Sequence, residues 1–257
     1  MLLTVLGCAG SVPSPTSPAS GYLVTTGRTR IALDLGNGTL GPLTGHVDPF
    51  ELDAVLLSHL HVDHCADLAA LVVALRHQPR RPRPARRLPV HAPRGAARRL
   101  AGLYAAEPES AATTDLTDVL DFHDLEDLTA TPAVIGDLEV SAFPVPHSCP
   151  AFGFRVRHGD RVLAYTGDTG GGPTVRRLAE QADLLLAEAT WPHRQGAPPG
   201  PHLSGRQAGE LARRAGARRL LVTHVAPWED ASEVAAEASL AFGGPTELAE
   251  PGARHEV

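Results

Sequence analysis

The chain has 257 residues, 43% of them hydrophobic, a formal net charge of −6, and only arginine among its 23 basic residues. That length can bury a large core within one domain over 1–257, and no run approaches the roughly eighteen consecutive apolar residues of a membrane span. The acidic balance excludes a global field for nucleic acid, and three cysteines (Cys8, Cys65 and Cys149) without C-x-x-C spacing argue against a disulfide framework.

Residues 2–6 read as a strand with no basic segment or cleavage signal before it, so export is not expected and the cytoplasm is the expected location. A Ser/Pro-rich loop follows over 11–20, and Asp34-Leu35-Gly36-Asn37-Gly38 closes another strand. The apolar run 54–57 then leads into Ser58-His59-Leu60-His61-Val62-Asp63-His64. Alternate residues leaving a strand share a side, so His59 and His61 can face one cation, with Asp63 and His64 left for a second. Imidazole and carboxylate without thiolate suit zinc, manganese or iron better than calcium.

After this loop a helix is expected over 68–75. The stretch 76–99 carries nine arginines, five prolines and no acid. Its prolines forbid a continuous helix, so it is expected to be mainly a solvated loop, with a phosphate-attracting rim as the functional alternative. A helix is predicted over 95–104. Strand-like runs follow at 138–145, ahead of His147; at 161–166, ahead of Asp168; at 183–187, ahead of Glu188; and at 219–223, ahead of His224. With 54–57, five strands thus end in residues that can bind metal or move protons, and strand carboxyl ends are where layered α/β folds gather ligands. Residues 152–166 read as strand, turn and strand. Helices are predicted over 174–181, over 205–215 with Ser204 as N-cap, and over 232–241. No internal repeat or linker divides the chain.

The sequence resembles the metallo-β-lactamase fold family. His59-x-His61-x-Asp63-His64, then His147, Asp168 and His224, match its metal-ligand motifs in order and type. The resemblance implies an α/β fold, a four-layer αββα sandwich of two mixed sheets, and two divalent metal ions, zinc first, with manganese or iron as alternatives. It implies that His59, His61 and His147 hold one metal and Asp63, His64 and His224 the second, with Asp168 bridging. Asp34 is expected to support the metal loop through hydrogen bonds.

Glu188-Ala189-Thr190 and His202-Leu203-Ser204 resemble the acid–histidine pair of the phosphodiesterase branch, so His202, Glu188 and Asp63 are the candidate catalytic residues. A poor alkoxide leaving group gains from a placed general acid. tRNA 3′-processing endonucleases share the pair, but Ala187 stands where they commonly carry histidine, and the short span between His147 and Asp168 has no room for their substrate arm. Gly7-Cys8-Ala9-Gly10-Ser11-Val12 and Thr223-His224-Val225-Ala226-Pro227-Trp228 are similar to the small bacterial cyclic-nucleotide phosphodiesterases of this fold. The resemblance implies hydrolysis of 3′,5′-cyclic AMP, or a related cyclic nucleotide, to the 5′-monophosphate. In that scheme a water activated between the metals attacks phosphorus and His202 protonates the leaving oxygen. A small phosphodiester substrate, a homodimer and no membrane partner are expected, with nucleic acid a disfavoured alternative partner. The alternatives are an armless tRNA 3′-end endonuclease and a thioester or lactone hydrolase.

Overall fold

The computed structural model describes residues 1–79, 86–194 and 200–257. Strands β1 (Leu2–Gly7), β2 (Gly21–Thr25) and β3 (Arg30–Leu35) form an antiparallel meander. Helix α1 (Leu40–His46), strand β4 (Ala54–Leu56), helix α2 (Val62–His77), strand β5 (Leu88–Ala92), helix α3 (Ala96–Tyr104) and strand β6 (Leu120–Asp124) continue with β3 to β6 as parallel neighbours. Strands β7 (Ala133–Ile135), β8 (Leu138–Pro144), β9 (Phe152–His158) and β10 (Arg161–Tyr165) are again antiparallel. Helix α4 (Pro173–Ala179), strand β11 (Leu184–Glu188), helix α5 (Gly205–Ala215), strand β12 (Leu220–Thr223), helix α6 (Ala231–Phe242) and strand β13 (Thr246–Leu248) complete a parallel run from β10. Finally β14 (Arg254–Glu256) pairs antiparallel with β1. Among the described residues this gives two seven-stranded mixed sheets, β14-β1-β2-β3-β4-β5-β6 and β13-β12-β11-β10-β9-β8-β7.

The alternation of side chains along each strand explains the layering. Leu3, Val5, Tyr22, Val24, Ile31, Leu33 and Leu56 point from the first sheet into a core shared with Val140, Phe154, Val156, Leu163, Tyr165 and Leu186 of the second. Their neighbours Leu6, Leu23, Ala32, Leu35 and Val55 point outward against Leu68, Leu71, Val72 and Leu75 of α2 and Leu100 of α3. On the far face Ala164, Leu185, Ala187 and Val222 pack under Val175, Leu178, Ala208, Ala212, Val234 and Ala238 of α4 to α6. Central strands are therefore apolar on both faces, as sheets covered on both sides require. The expected αββα sandwich is the observed fold.

Two expectations are corrected. Helix α2 begins at Val62, with His61 as its N-cap, so Asp63 and His64 stand on its first turn rather than in a loop before a helix at 68. The inward-facing polar residues hide that turn from an apolar-periodicity reading. Among its described residues the arginine-rich stretch is also not mainly loop: Arg76 and His77 end α2, β5 spans Leu88–Ala92 and α3 begins at Ala96. Pro89 fits within β5 because the β4 ladder starts only at Val90, and the Asp53 carbonyl accepts from Arg86 Nη2 at 2.8 Å. Arg80, Arg81 and Arg83 lie outside the described residues. No helix among the described residues is long and apolar enough to cross a membrane.

Candidate metal centre

Loops at one end of both sheets supply the cluster. The first sheet provides His59, two residues past Leu57, then His61, and Asp63 and His64 from the first turn of α2. The second provides His147 after β8, Asp168 after β10 and His224 directly after β12. All seven sequence-predicted ligands come together. His59, His61 and His147 each offer a ligand atom within 4.8 Å of the others, and Asp63, His64, Asp168 and His224 do the same. His59 Nε2 lies 3.0 Å from His61 Nδ1, which lies 3.3 Å from His147 Nε2. In the second group His64 Nε2 and His224 Nε2 are 3.3 Å apart. Asp168 Oδ2 stands between the groups, 3.2 Å from His64 Nε2, 3.3 Å from His224 Nε2 and 3.7 Å from His59 Nε2.

The outward nitrogens show how the inward ones are aimed. Buried Asp34 accepts from Ser58 N at 2.6 Å, Ser58 Oγ at 2.7 Å, Tyr165 Oη at 2.7 Å and His64 Nδ1 at 2.8 Å. With its proton given to Asp34, Ser58 Oγ accepts from His59 Nδ1 at 3.1 Å. His147 Nδ1 donates to Pro201 O at 3.0 Å, and His224 Nδ1 to Thr190 Oγ1 at 3.1 Å. Four imidazoles thus spend Nδ1–H on the protein and turn the Nε2 lone pair inward, the tautomer a metal ligand needs. The hydrogen bonds expected of Asp34 are present. Tyr165, which reaches Asp34 from the opposite sheet, was not foreseen, because cross-sheet contacts leave no local pattern in sequence.

Backbone geometry is stretched at the same place. Asp34 and His224 take left-handed φ values of 56° and 59°, a cost that surrounding structure must hold in place. Gly36 allows α2 to approach: a Cβ there would lie 1.9 Å from the Asp63 carbonyl oxygen. Gly10 does the same for His224, whose carbonyl oxygen would be 2.3 Å from such a Cβ.

The electrostatics match a cation site. Burial alone would raise the Asp168 carboxyl, but His224, His64 and His59 hold it well below the usual carboxylate range. Burial and the surrounding imidazoles push His59 well below an ordinary histidine. Against the burial that opposes its charging, Asp168 and Asp34 drive His64 well above an ordinary histidine. Its Nε2 side thus favours a positive charge, which a metal ion would supply in place of a proton. Asp168 Oδ1 is buried with no hydrogen-bond partner among the described residues. A buried carboxylate oxygen without a partner is costly unless a cation takes it up. The converging nitrogens and that orphaned oxygen fit divalent metal, and the nitrogen–oxygen donor set fits zinc, manganese or iron.

Beside the cluster, Glu188 at the end of β11 is fully buried. Its Oε1 accepts from Thr169 N at 2.7 Å and His202 Nδ1 at 3.0 Å, and its Oε2 accepts from Thr190 Oγ1 at 2.9 Å. Thr169 and Thr190 thus hold Glu188 by hydrogen bonds that the sequence did not display, although Thr190 sits only two residues beyond Glu188. His202 stacks on His224 with ring centroids 5.4 Å apart and faces the edge of Trp191. Burial alone would lower the His202 pKa, but the hydrogen bond and charge of Glu188, with Asp168, carry it above the ordinary value.

Among the described residues, the arginines of the 76–99 stretch are mostly taken up in ion pairs. Arg86 pairs with Asp53, Arg87 with Asp121, Arg94 with Asp124 and Arg76 with Asp118. Acids from elsewhere in the chain occupy most of the described arginines. Arg99 alone of these reaches the metal loop, donating to Leu60 O at 3.4 Å.

This fold and this cluster define a class. A family model described as Beta-lactamase superfamily domain matches residues 29–225, and the chain belongs to that family. Among its relatives, an uncharacterized protein of Mycobacterium tuberculosis is 41% identical over 245 residues, covering 95% of this chain and 87% of the relative. The probable metallo-hydrolase YhfI of Bacillus subtilis is 28% identical over 252 residues, 98% of each chain. The crystal structure of YhfI, a metallo-β-lactamase fold protein, superposes with a TM-score of 0.84 at 27% identity over 99% of both chains. The short form of human tRNase Z shares the fold with a TM-score of 0.76 at 22% identity, covering 100% of this chain and 99% of that one.

Proposed function

We propose that the protein is a binuclear-metal phosphodiesterase that hydrolyses 3′,5′-cyclic AMP, or a related cyclic nucleotide, to the 5′-monophosphate. The coarser part, a metallo-hydrolase, is supported by the family and by the name of YhfI. The observation that carries the finer part is the pairing of buried Glu188 with part-buried His202 beside the cluster. An acyl hydrolase has a better leaving group and gives this pair no task, whereas an alkoxide needs a proton as it departs.

In this reading His59, His61 and His147 would hold one ion and Asp63, His64 and His224 the other, with Asp168 between the two groups as a further ligand. Bound divalent ions would supply Lewis-acid polarisation of the phosphate and a water of lowered pKa. The remaining chemistry belongs to the chain. Thr169 N and Thr190 Oγ1 fix the Glu188 carboxylate, which takes the His202 Nδ1 proton as a hydrogen bond and sets the ring plane. A proton on Nε2 is thereby held ready for the leaving 3′-oxygen. Asp63 would serve as a ligand beside His224, its Oδ2 lying 3.3 Å from the His224 Nε2 that would share the same ion.

Ribonuclease Z of Kineococcus radiotolerans aligns at 27% identity over 295 positions while covering 96% of this 257-residue chain, so that enzyme carries segments absent here. That supports a small substrate over tRNA. A cytoplasmic homodimer completes the proposal, and light scattering of the purified protein checks the dimer.

The deciding experiment is hydrolysis of 3′,5′-cyclic AMP by metal-loaded protein, with nucleotide chromatography and His202→Ala alongside. We expect 5′-AMP from the wild type, and a kcat lower by about 10²–10⁴ in the variant with metal content unchanged. Near-normal turnover in His202→Ala would remove the general acid. Cleavage of pre-tRNA 3′ ends without formation of 5′-AMP would move the assignment to RNA processing.

A further inference from the structure

The groove between α4 and α5 encloses a cavity of about 440 Å³ that the proposed chemistry leaves unused. It lies within the size range of small-molecule sites. Its place in the chain ties it to the metal centre. One wall is the glycine loop 170–172, beginning two residues after Asp168, and Leu203, directly after His202, lines it as well. Two residues of chain span about 7 Å at most, so this part of the cavity wall stands within a nucleotide's length of Asp168.

The lining has a definite chemistry. Leu203 and Leu211 are buried and apolar. On α5, Gln207 lends its Oε1 to Ser204 N at 2.9 Å in the helix cap, which leaves its amide NH₂ as the group with hydrogen bonds to give. One turn on, Glu210 is held by Arg206 Nε at 3.2 Å and Arg214 Nη2 at 3.1 Å, an oriented acceptor. Across the groove Arg176 of α4 lines the cavity and is exposed, with no ion-pair partner among the described residues. An apolar floor, a fixed donor, a fixed acceptor and a planar cation match one kind of ligand: a flat heterocycle with adjacent ring acceptor and N–H donor. An acyl chain would desolvate these polar groups without replacing their bonds. A second phosphate would gain Arg176 and Arg214, which also lines the cavity. It would, however, lie against the Leu203 and Leu211 floor and the Glu210 carboxylate, which a flat base suits better.

We propose that this cavity is the nucleobase subsite of the enzyme, with Arg176 stacking on the base and Gln207 and Glu210 reading its hydrogen-bonding edge. It rests on the cyclic-nucleotide reading and extends it to the part of the substrate beyond the phosphate. A guanidinium plane stacks on any base, and the two α5 side chains supply the donor–acceptor pair that base edges present.

The test compares wild type, Arg176→Ala and Glu210→Ala, all metal-loaded, on 3′,5′-cyclic AMP and on methyl 4-nitrophenyl phosphate, a diester with no base. Thermal unfolding checks that each variant is folded, and two variants guard against one failing. The cyclic AMP to nitrophenyl ester ratio of kcat/KM should fall about tenfold or more in each, mainly through KM. Calorimetry with adenosine, which lacks the phosphate, should show binding to the wild type and at least about fivefold weaker binding to each variant. If the wild type cleaves cyclic AMP while ratio and adenosine affinity are unmoved in both variants, the base subsite is overturned and the cyclic-nucleotide reading stands. If the wild type cleaves the nitrophenyl ester but no cyclic nucleotide, that reading falls and the subsite with it.

Discussion

Asp34 contacts no other residue's proposed ligand atom, yet four hydrogen bonds converge on its carboxylate from the metal loop, from His64 and from Tyr165 of the opposite sheet. Asparagine tolerates the same left-handed backbone, so Asp34→Asn isolates the carboxylate's role. It removes an acceptor oxygen and the charge that draws His64 Nδ1–H outward. We expect metal affinity to fall by about 10–100-fold and stability by about 1–3 kcal/mol, read by competitive chelator titration and by urea unfolding. Unchanged affinity would mean that His64 is aimed by packing alone. A second residue, outside the proposed ligand set, makes a pH prediction. His91 is half-buried on β5, stacked on His123 at 4.9 Å, with Nδ1 lacking a hydrogen-bond partner among the described residues. Burial first, and then the neighbouring His123 charge, push its pKa from 6.5 down to about 4. The folded chain therefore binds fewer protons than the unfolded one between those values. The stability present above pH 6.5 drains away as pH falls to about 4. His91→Phe keeps the ring and removes the titration. Its stability should fall less steeply across that window, by about 2 kcal/mol in total after discounting the exposed part of the ring. Parallel denaturant-unfolding profiles for the two proteins would sink the assignment.

At the scale of elements, legibility followed how much of each signal is local. Helix α5 was predicted at its true bounds because Ser204 and Gln207 form a capping box that the sequence displays. Helix α2 was predicted six residues late, since its first turn is given to Asp63 and His64 and carries no apolar stripe. Strand β5 was lost among prolines and arginines, although the alternation Leu88, Val90, Ala92 was there to read. Helix α1 was missed altogether: it is seven residues long, contains Gly41, Pro42 and Gly45, and has no side-chain cap. The packing of α5 on α6 depends on residues chosen for smallness rather than helix propensity. A Cβ on Gly209 would stand 2.2 Å from the Ala238 carbonyl oxygen. In an exposed helix Gly→Ala gains about 1 kcal/mol. Here the approach of two backbones reverses the sign, and Gly209→Ala should lower the unfolding free energy by about 1–3 kcal/mol, as overpacking does. A rise in melting temperature would show that α6 can move aside at little cost.

For the whole molecule, the proposed ligands are divided between the two sheets, and this division has a thermodynamic consequence. His59, His61, Asp63 and His64 belong to the first half of the sandwich, and His147, Asp168 and His224 to the second. The ordered strand ends made these residues legible in the sequence, but which sheet each strand joins was fixed only by long-range pairing. Apart from the apolar core, the halves are joined near the centre by a few polar links: Tyr165 to Asp34 at 2.7 Å, Tyr22 to Thr223 at 2.6 Å, and Phe152 N to Ser58 O at 2.9 Å. Ions held from both sides would add a bond between the layers that exists only in the folded state. Saturation at a hundredfold excess over Kd stabilises by about 2.7 kcal/mol per site, which for a chain of this size is about 5–10 °C in melting temperature. Chelation should lower the melting temperature by at least that much, and metal should restore it. Because the ligands are shared, hydrogen exchange on chelation should quicken together in the loops after β4, β8, β10 and β12, those of both sheets at once. Loosening confined to the loops of one sheet would show that the metals sit within one half and do not join the layers.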